Sequence, residues 1–170
     1  SEYGIIGIAG TRYLSKTGRW WDDFSKMHGA VYHEDEGKRW LTRYSKDVGN
    51  KLDDVILVDG LFFCVNKNLK NKFNEEVKGF HFYDVDFCFS NYLEGVKVGV
   101  CSDIKVTHLS IGKTNEEWED SRKTFSEKYK DNLPVKINRK LRKNEKLKIL
   151  IACLNFNDFT GSELHVYELA

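Results

Sequence analysis

Apolar residues fall in short blocks separated by polar, glycine-bearing breaks. Residues 4–9 form an almost unbroken apolar and glycine run, which predicts a buried strand. Residues 11–54 are polar and aromatic with little periodicity and predict a long structured loop with short helical pieces. Val55-Ile56-Leu57-Val58 predicts a central strand, Asp59-Gly60 interrupts it, and residues 61–65 resume extended structure. Residues 66–71 read as a turn and short helix. Val85, Cys88, Phe89 and Tyr92 recur at helical spacing, so residues 84–94 predict a helix closed by Gly95. Val96, Val98 and Val100 alternate with Lys97, Gly99 and Cys101, as in a strand, and residues 104–108 predict another. Thr114-Asn115-Glu116-Glu117 reads as a capping box opening a helix with Trp118, Arg122, Phe125 and Tyr129 on one face, which stops near Pro134. A fresh strand over 148–154 and a helix beginning at 160–163 follow. Strands alternating with helices predict an α/β class.

Charge changes the picture at one place. The chain has 170 residues with 27 basic and 26 acidic groups, a balance that argues against general nucleic-acid binding. No apolar run reaches the roughly 18–20 residues of a membrane span. The basic groups Lys136, Arg139, Lys140, Arg142, Lys143, Lys146 and Lys148 crowd together after Pro134, so 134–147 is expected to be a solvated basic linker, with a phosphate or membrane patch as the alternative. That divides the chain into units at 1–133 and 148–170. The first unit opens directly in a strand and the last closes inside a helix, so the chain is expected to be an excerpt of a longer protein. Cys64, Cys88, Cys101 and Cys153 form no C-x-x-C pair and sit among apolar neighbours, which fits free thiols in a reducing compartment.

The densest chemistry lies in Gly79-Phe80-His81-Phe82-Tyr83-Asp84-Val85-Asp86-Phe87. Two carboxylates stand two residues apart where a helix begins. Either Asp84 caps the helix and Asp86 complements its dipole, or one of them projects into a cleft as a general base. Asp59 and Gly60 lie at the exit of an apolar strand, where ligands of α/β sheets collect; the other reading is a β-bulge with an exposed Asp. His108 ends a strand and is either a metal or phosphate contact or a hydrogen-bonded structural residue. His81 can stack on a ligand or simply pack. His28 and His33 are five apart, a poor match to a helical zinc pair. The glycines at 4, 7 and 10 do not have the spacing of a phosphate fingerprint.

Several segments stand in an order that resembles a bacterial branch of the family-2-like glycosyltransferases of GT-A fold: Gly4-Ile5-Ile6-Gly7-Ile8-Ala9-Gly10, Gly18-Arg19-Trp20-Trp21, His28-Gly29, His33, Val58-Asp59-Gly60-Leu61-Phe62, the aromatic-acidic string at 79–87, His108-Leu109-Ser110-Ile111-Gly112 and Asn115-Glu116-Glu117-Trp118. The resemblance spans about residues 3–133 and implies the carboxyl-terminal half of a partial GT-A mixed sheet with flanking helices. It implies transfer of a sugar from a nucleotide-sugar donor to a glycan hydroxyl, with inversion, in surface polysaccharide synthesis. Asp84 takes the place of the catalytic base and Asp86 of a supporting carboxylate. Tyr83 stands where the family commonly has Glu. Asp59, Gly60, His81, Tyr83 and Trp21 are implied in substrate binding, and His108 in approaching a divalent metal, Mn²⁺ or Mg²⁺, or the diphosphate. The family's Asp-x-Asp metal motif would precede Ser1. Residues 147–170 are similar to the opening strand, loop and helix of a GT-B glycosyltransferase. The implied location is cytoplasmic, at most peripheral to the inner membrane face.

Two rival readings remain at this level. Trp20, Trp21, Trp40, His81 and Phe82 can offer platforms in a non-catalytic carbohydrate-binding or interaction module. A zinc hydrolase built on His28, His33, His81 and His108 is the other. An unpaired sheet edge at residues 5–9 or 55–58 is expected to favour a homodimer.

Overall fold

The computed structural model describes residues 3–45, 52–77, 79–109, 112 and 114–137. Two small sheets share a core, and two strands pass from one into the other. β1 (Ile5–Gly7) lies in the first sheet and β2 (Ala9–Thr11) in the second. β6 (Leu52–Val55) and β7 (Leu57–Val58) divide in the same way, so the single strand expected at 55–58 changes sheets at Ile56. Ile8 and Ile56, the residues at the two crossings, are buried.

The first sheet runs β6–β9–β1–β8, with β8 spanning Phe63–Val65 and β9 spanning Val98–Cys101. β1 is parallel to β9 and antiparallel to β8. β2 is likewise paired on both sides, by β4 (Met27–Asp35) and β7. Residues 5–7 and 9 are therefore interior to their sheets, which corrects the expectation of an open edge at 5–9. The first sheet ends on β6 and β8, and β7 is an edge of the second.

The second sheet corrects the reading of 11–54 as loop. β4 (Met27–Asp35) and β5 (Lys38–Arg43) form a hairpin whose Asp35↔Lys38 pair closes on Glu36-Gly37. Both turn residues have positive φ, 48° and 75°, as a two-residue hairpin turn of right-handed twist requires. Gly29 on β4 has φ 104°, and a Cβ there would stand 1.9 Å from the Ile8 carbonyl oxygen. Only glycine lets β4 approach the crossing so closely. β10 (Thr107–His108) pairs parallel to β4 and sets His108 opposite His33.

α1 (Tyr83–Leu93) packs against β7, where the Cys88 thiol points at the Val58 carbonyl, 3.8 Å away. α2 (Glu116–Lys128) lays Phe125 and the following Tyr129 on Phe89 of α1, at ring separations of 5.8 and 5.0 Å. Burying each such ring contributes about 1.5–3 kcal/mol. The cap of α2 is Asn115, whose Oδ1 accepts the Trp118 N–H at 2.8 Å. The cap thus falls one residue later than the box expected from Thr114.

β3 (Tyr13–Leu14) pairs with β11 (Val135–Lys136), so the first residues of the stretch expected as linker lie on the body as a strand. The remainder of that linker and the strand and helix expected over 148–170 lie outside the described residues. The architecture is a mixed α/β one, of several small sheets and two helices.

Candidate functional site

α1 begins without a side-chain cap. Phe82, its N-cap residue, takes a left-handed conformation, φ 63° and ψ 2°, uncommon for a bulky side chain. Trp118 and Phe125 hold its buried ring at 5.3 and 5.5 Å. Asp84 is therefore not the cap. Its Oδ2 accepts the backbone N–H of Gly60, at 2.7 Å, beyond the end of β7. A Cβ on Gly60 would lie 2.5 Å from the Tyr83 hydroxyl and 2.9 Å from Asp84 Oδ2, so the missing side chain is what admits both groups.

Asp59 precedes this contact. Its N–H donates to the Ala9 carbonyl at 2.9 Å, and its Oδ1 accepts from the Leu61 N–H at 2.8 Å. The two carboxylates are close enough to sense one another. Burial and then the Asp59 charge push the Asp84 pKa up to about 7. Burial also raises that of Asp59, against the pull of the Leu61 N–H, His108 and His33. The Tyr83 phenol, whose oxygen lies 3.4 Å from the Gly60 carbonyl, is pushed up to about 12 by burial, Asp84 and Asp59. Burial lowers the His108 pKa, with Asp59 opposing and His33 assisting.

The structure thus brings together Asp59, Gly60, Tyr83, Asp84 and His108. It adds His33, whose ring is 6.0 Å from that of His108 and stacks on Trp40 at 5.5 Å. His33 stood in one of the family-like segments; its pairing with His108 rests on a β4–β10 register that one sequence does not reveal.

Other expected residues lie elsewhere. Asp86 is buried with its Oδ1 accepting from Lys128 Nζ at 2.7 Å. Positions two apart on a helix point about 200° apart, so the two carboxylates do not share a face. His81 stands partly exposed beside Phe82. Trp21 packs on Trp118 with ring centroids 5.5 Å apart. His28 Nδ1–H donates to buried Asp53 at 2.8 Å, and Arg12 holds the other Asp53 oxygen at 3.3 Å. Among the described residues no group of three or more His, Cys, Asp or Glu is arranged to hold a metal ion.

The carboxylates thus gather where the end of β7 meets the start of α1. The profile of the glycosyltransferase-like family matches residues 1–129, and the chain belongs to that family. No curated protein matches the chain. Among the described residues no helix is long and apolar enough to cross a membrane. The metal that the family resemblance implies does not find a complete ligand set here: the described residues offer His108 and Asp59 but no third donor in a suitable group.

Proposed function

We propose that Asp84 is the general base of an inverting sugar transfer from a nucleotide-sugar donor to a glycan hydroxyl, in the assembly of a bacterial surface polysaccharide. The observation that carries this reading is the position of Asp84. It is partly exposed, oriented by the Gly60 N–H, and raised to about 7 by burial and Asp59. A base with a pKa near the working pH combines a substantial ionised fraction with useful proton affinity. The acceptor O–H proton passes to the Asp84 carboxylate while the hydroxyl oxygen bonds to the anomeric carbon. The bond from that carbon to the diphosphate oxygen breaks, and its electron pair leaves with the diphosphate. Attack from the face opposite the leaving group inverts the centre. His108 and His33 flank Asp59 and offer ring N–H donors to the polar groups of donor or acceptor. Asp59 orients a sugar hydroxyl, and Asp86 serves packing through Lys128.

The test combines binding and turnover. The chain is titrated with UDP, GDP, UDP-glucose and GDP-mannose in a calorimeter, with Mn²⁺ present, and nucleotide release is followed with a glycan acceptor mixture. Donor-dependent release that Asp84→Asn abolishes supports the reading. Release that survives Asp84→Asn removes Asp84 from the role. Glycan binding without donor binding or release favours a non-catalytic carbohydrate-binding module.

A further inference from the structure

A second feature lies beside Trp118, whose ring packs on Phe82. A hollow of about 290 Å³ is lined by Arg19, Trp21, Thr114, Asn115, Trp118 and Glu119. Its aromatic wall is a pair of indoles tilted 35° to one another, and Trp21 is 41% exposed despite its size. The rim is polar. Glu119 is fixed by Arg122, which donates from Nε at 2.8 Å and from Nη2 at 2.6 Å. Arg122 and Arg19 hold its carboxyl down at about 2, so it remains an acceptor throughout the physiological range. Arg19 lies over the Trp118 ring at 5.5 Å, and its Nη2 is 3.6 Å from Glu119, too far for a full hydrogen bond. Its donors are left for a ligand.

We infer that this hollow is a subsite for one pyranose ring of a glycan chain. A pyranose has a C–H face that packs on an indole and a rim of hydroxyls that both donate and accept. Trp21 supplies the platform, Glu119 a fixed acceptor, and Arg19 and Thr114 donors. The hollow is large enough for a single ring. An apolar ligand would leave the Arg19 donors and the remaining lone pairs of Glu119 unmatched, and a dianionic one would meet the Glu119 charge. Trp118 touches Phe82, the residue that sets the start of α1, so a ring seated here lies next to the element bearing Asp84. The inference rests on the glycosyltransferase reading and specifies where an acceptor sugar is gripped.

The four indole N–H resonances of the ¹⁵N-labelled full chain provide the readout. The probes are methyl β-D-glucopyranoside, methyl β-D-galactopyranoside, N-acetylglucosamine and, separately, UDP. At least one sugar is expected to move the Trp21 and Trp118 signals and leave Trp40 in place, with a Kd of about 1–30 mM, as suits one small ring. Trp21→Ala should weaken that binding about tenfold or more, and Arg19→Ala several-fold. Both side chains are substantially exposed, and a matching thermal unfolding curve for each variant checks the fold. No movement of these signals by any sugar up to about 100 mM overturns the inference. So does movement by UDP alone, or unchanged affinity in Trp21→Ala. Asp84→Asn should bind the sugar as the parent chain does. A parent chain that binds sugar but shows no donor-dependent transfer refutes the catalytic reading alone. A chain whose acceptor KM is untouched by Trp21→Ala refutes the subsite alone.

Discussion

The carboxylate of Asp84 accepts the backbone N–H of Gly60 across 2.7 Å, tying the first turn of α1 to the end of β7. The contact joins residues 24 positions apart and fixes the carboxylate at the place where strand and helix converge. Helix α1 goes uncapped by a side chain because its N-cap residue is Phe82, whose ring carries no acceptor.

Replacing that acid separates chemistry from stability. The Asp84 pKa in the folded chain lies near 7, above its ordinary value of 3.8. Between those two values the folded state holds more protons than the unfolded one, so stability falls as pH rises through the window. Asp84→Asn removes the unfavourable ionisation. It should abolish transfer and at the same time stabilise the fold above pH ~7 by on the order of 1 kcal/mol, with little change near pH ~4. Thermal unfolding at the two pH values, beside a turnover assay, checks both halves. A variant less stable at high pH would mean that the carboxylate is not held in this environment.

Asp59 supplies part of that environment. Its charge is the second cause of the raised Asp84 pKa, after burial. Asp59→Asn should therefore lower the Asp84 pKa and move the acid limb of the pH–rate profile to lower pH, from a starting position near 7. Because the Asp59 charge acts on Asp84, the limb reports both carboxylates, and the variant should also sharpen it toward a single ionisation. A limb that stays in place, measured as kcat/KM from pH ~5 to ~9, would detach Asp59 from the base.

Gly60 tests the packing behind the contact. An added methyl would meet the Tyr83 hydroxyl at 2.5 Å and Asp84 Oδ2 at 2.9 Å, both at the ends of side chains that can give way. Gly60→Ala should thus cost only about 1–2 kcal/mol of stability yet displace the base and lower kcat by about 10²-fold. Tyr83→Phe in the same chain removes the nearer obstacle and should recover part of the rate. Failure of that second change to help, with the fold intact, would show that the Tyr83 hydroxyl is not what crowds the site.

The elements with strong periodicity were legible in the sequence. Val85, Cys88 and Phe89 mark the inner face of α1, and Trp118 and Phe125 that of α2, because burial demands the same spacing that the pattern displays. The β4–β5 hairpin was not legible. His28, Tyr32 and His33 dilute its apolar alternation, and its turn is Glu36-Gly37 rather than the Asn-Gly or Asp-Gly that announces a hairpin. The sheet change at Ile8 and Ile56 was hidden because a buried strand that kinks reads as the same apolar run as a straight one. Asp59, Gly60 and Asp84 stood out as candidates in the sequence. What brought them together was tertiary: β7 ends at the start of α1, a pairing that no local spacing encodes.

The pair Asp84 and Asp86 gives the sharpest contrast, since both are acids in the opening turns of one helix. Asp86 faces Lys128 of α2 at 2.7 Å, and the ammonium also lies 4.9 Å from the Tyr129 ring. This ion pair links the two helices rather than addressing the carboxylate cluster. The Lys128 side chain is 43% exposed, so solvent screens the interaction, and the loss on breaking it should be about 1–2 kcal/mol rather than the 3–5 of a fully buried pair. Asp86→Asn should therefore lower the melting temperature by about 3–8 °C while leaving the acid limb of the pH–rate profile near that of the parent chain. Lys128→Met should cost a similar amount. The double variant should cost less than the sum of the two, because each single change already removes the shared contact. An Asp86→Asn chain that keeps its melting temperature but loses turnover would transfer the chemical role to Asp86, and with it the argument that helix geometry turns only one of these two carboxylates toward Gly60.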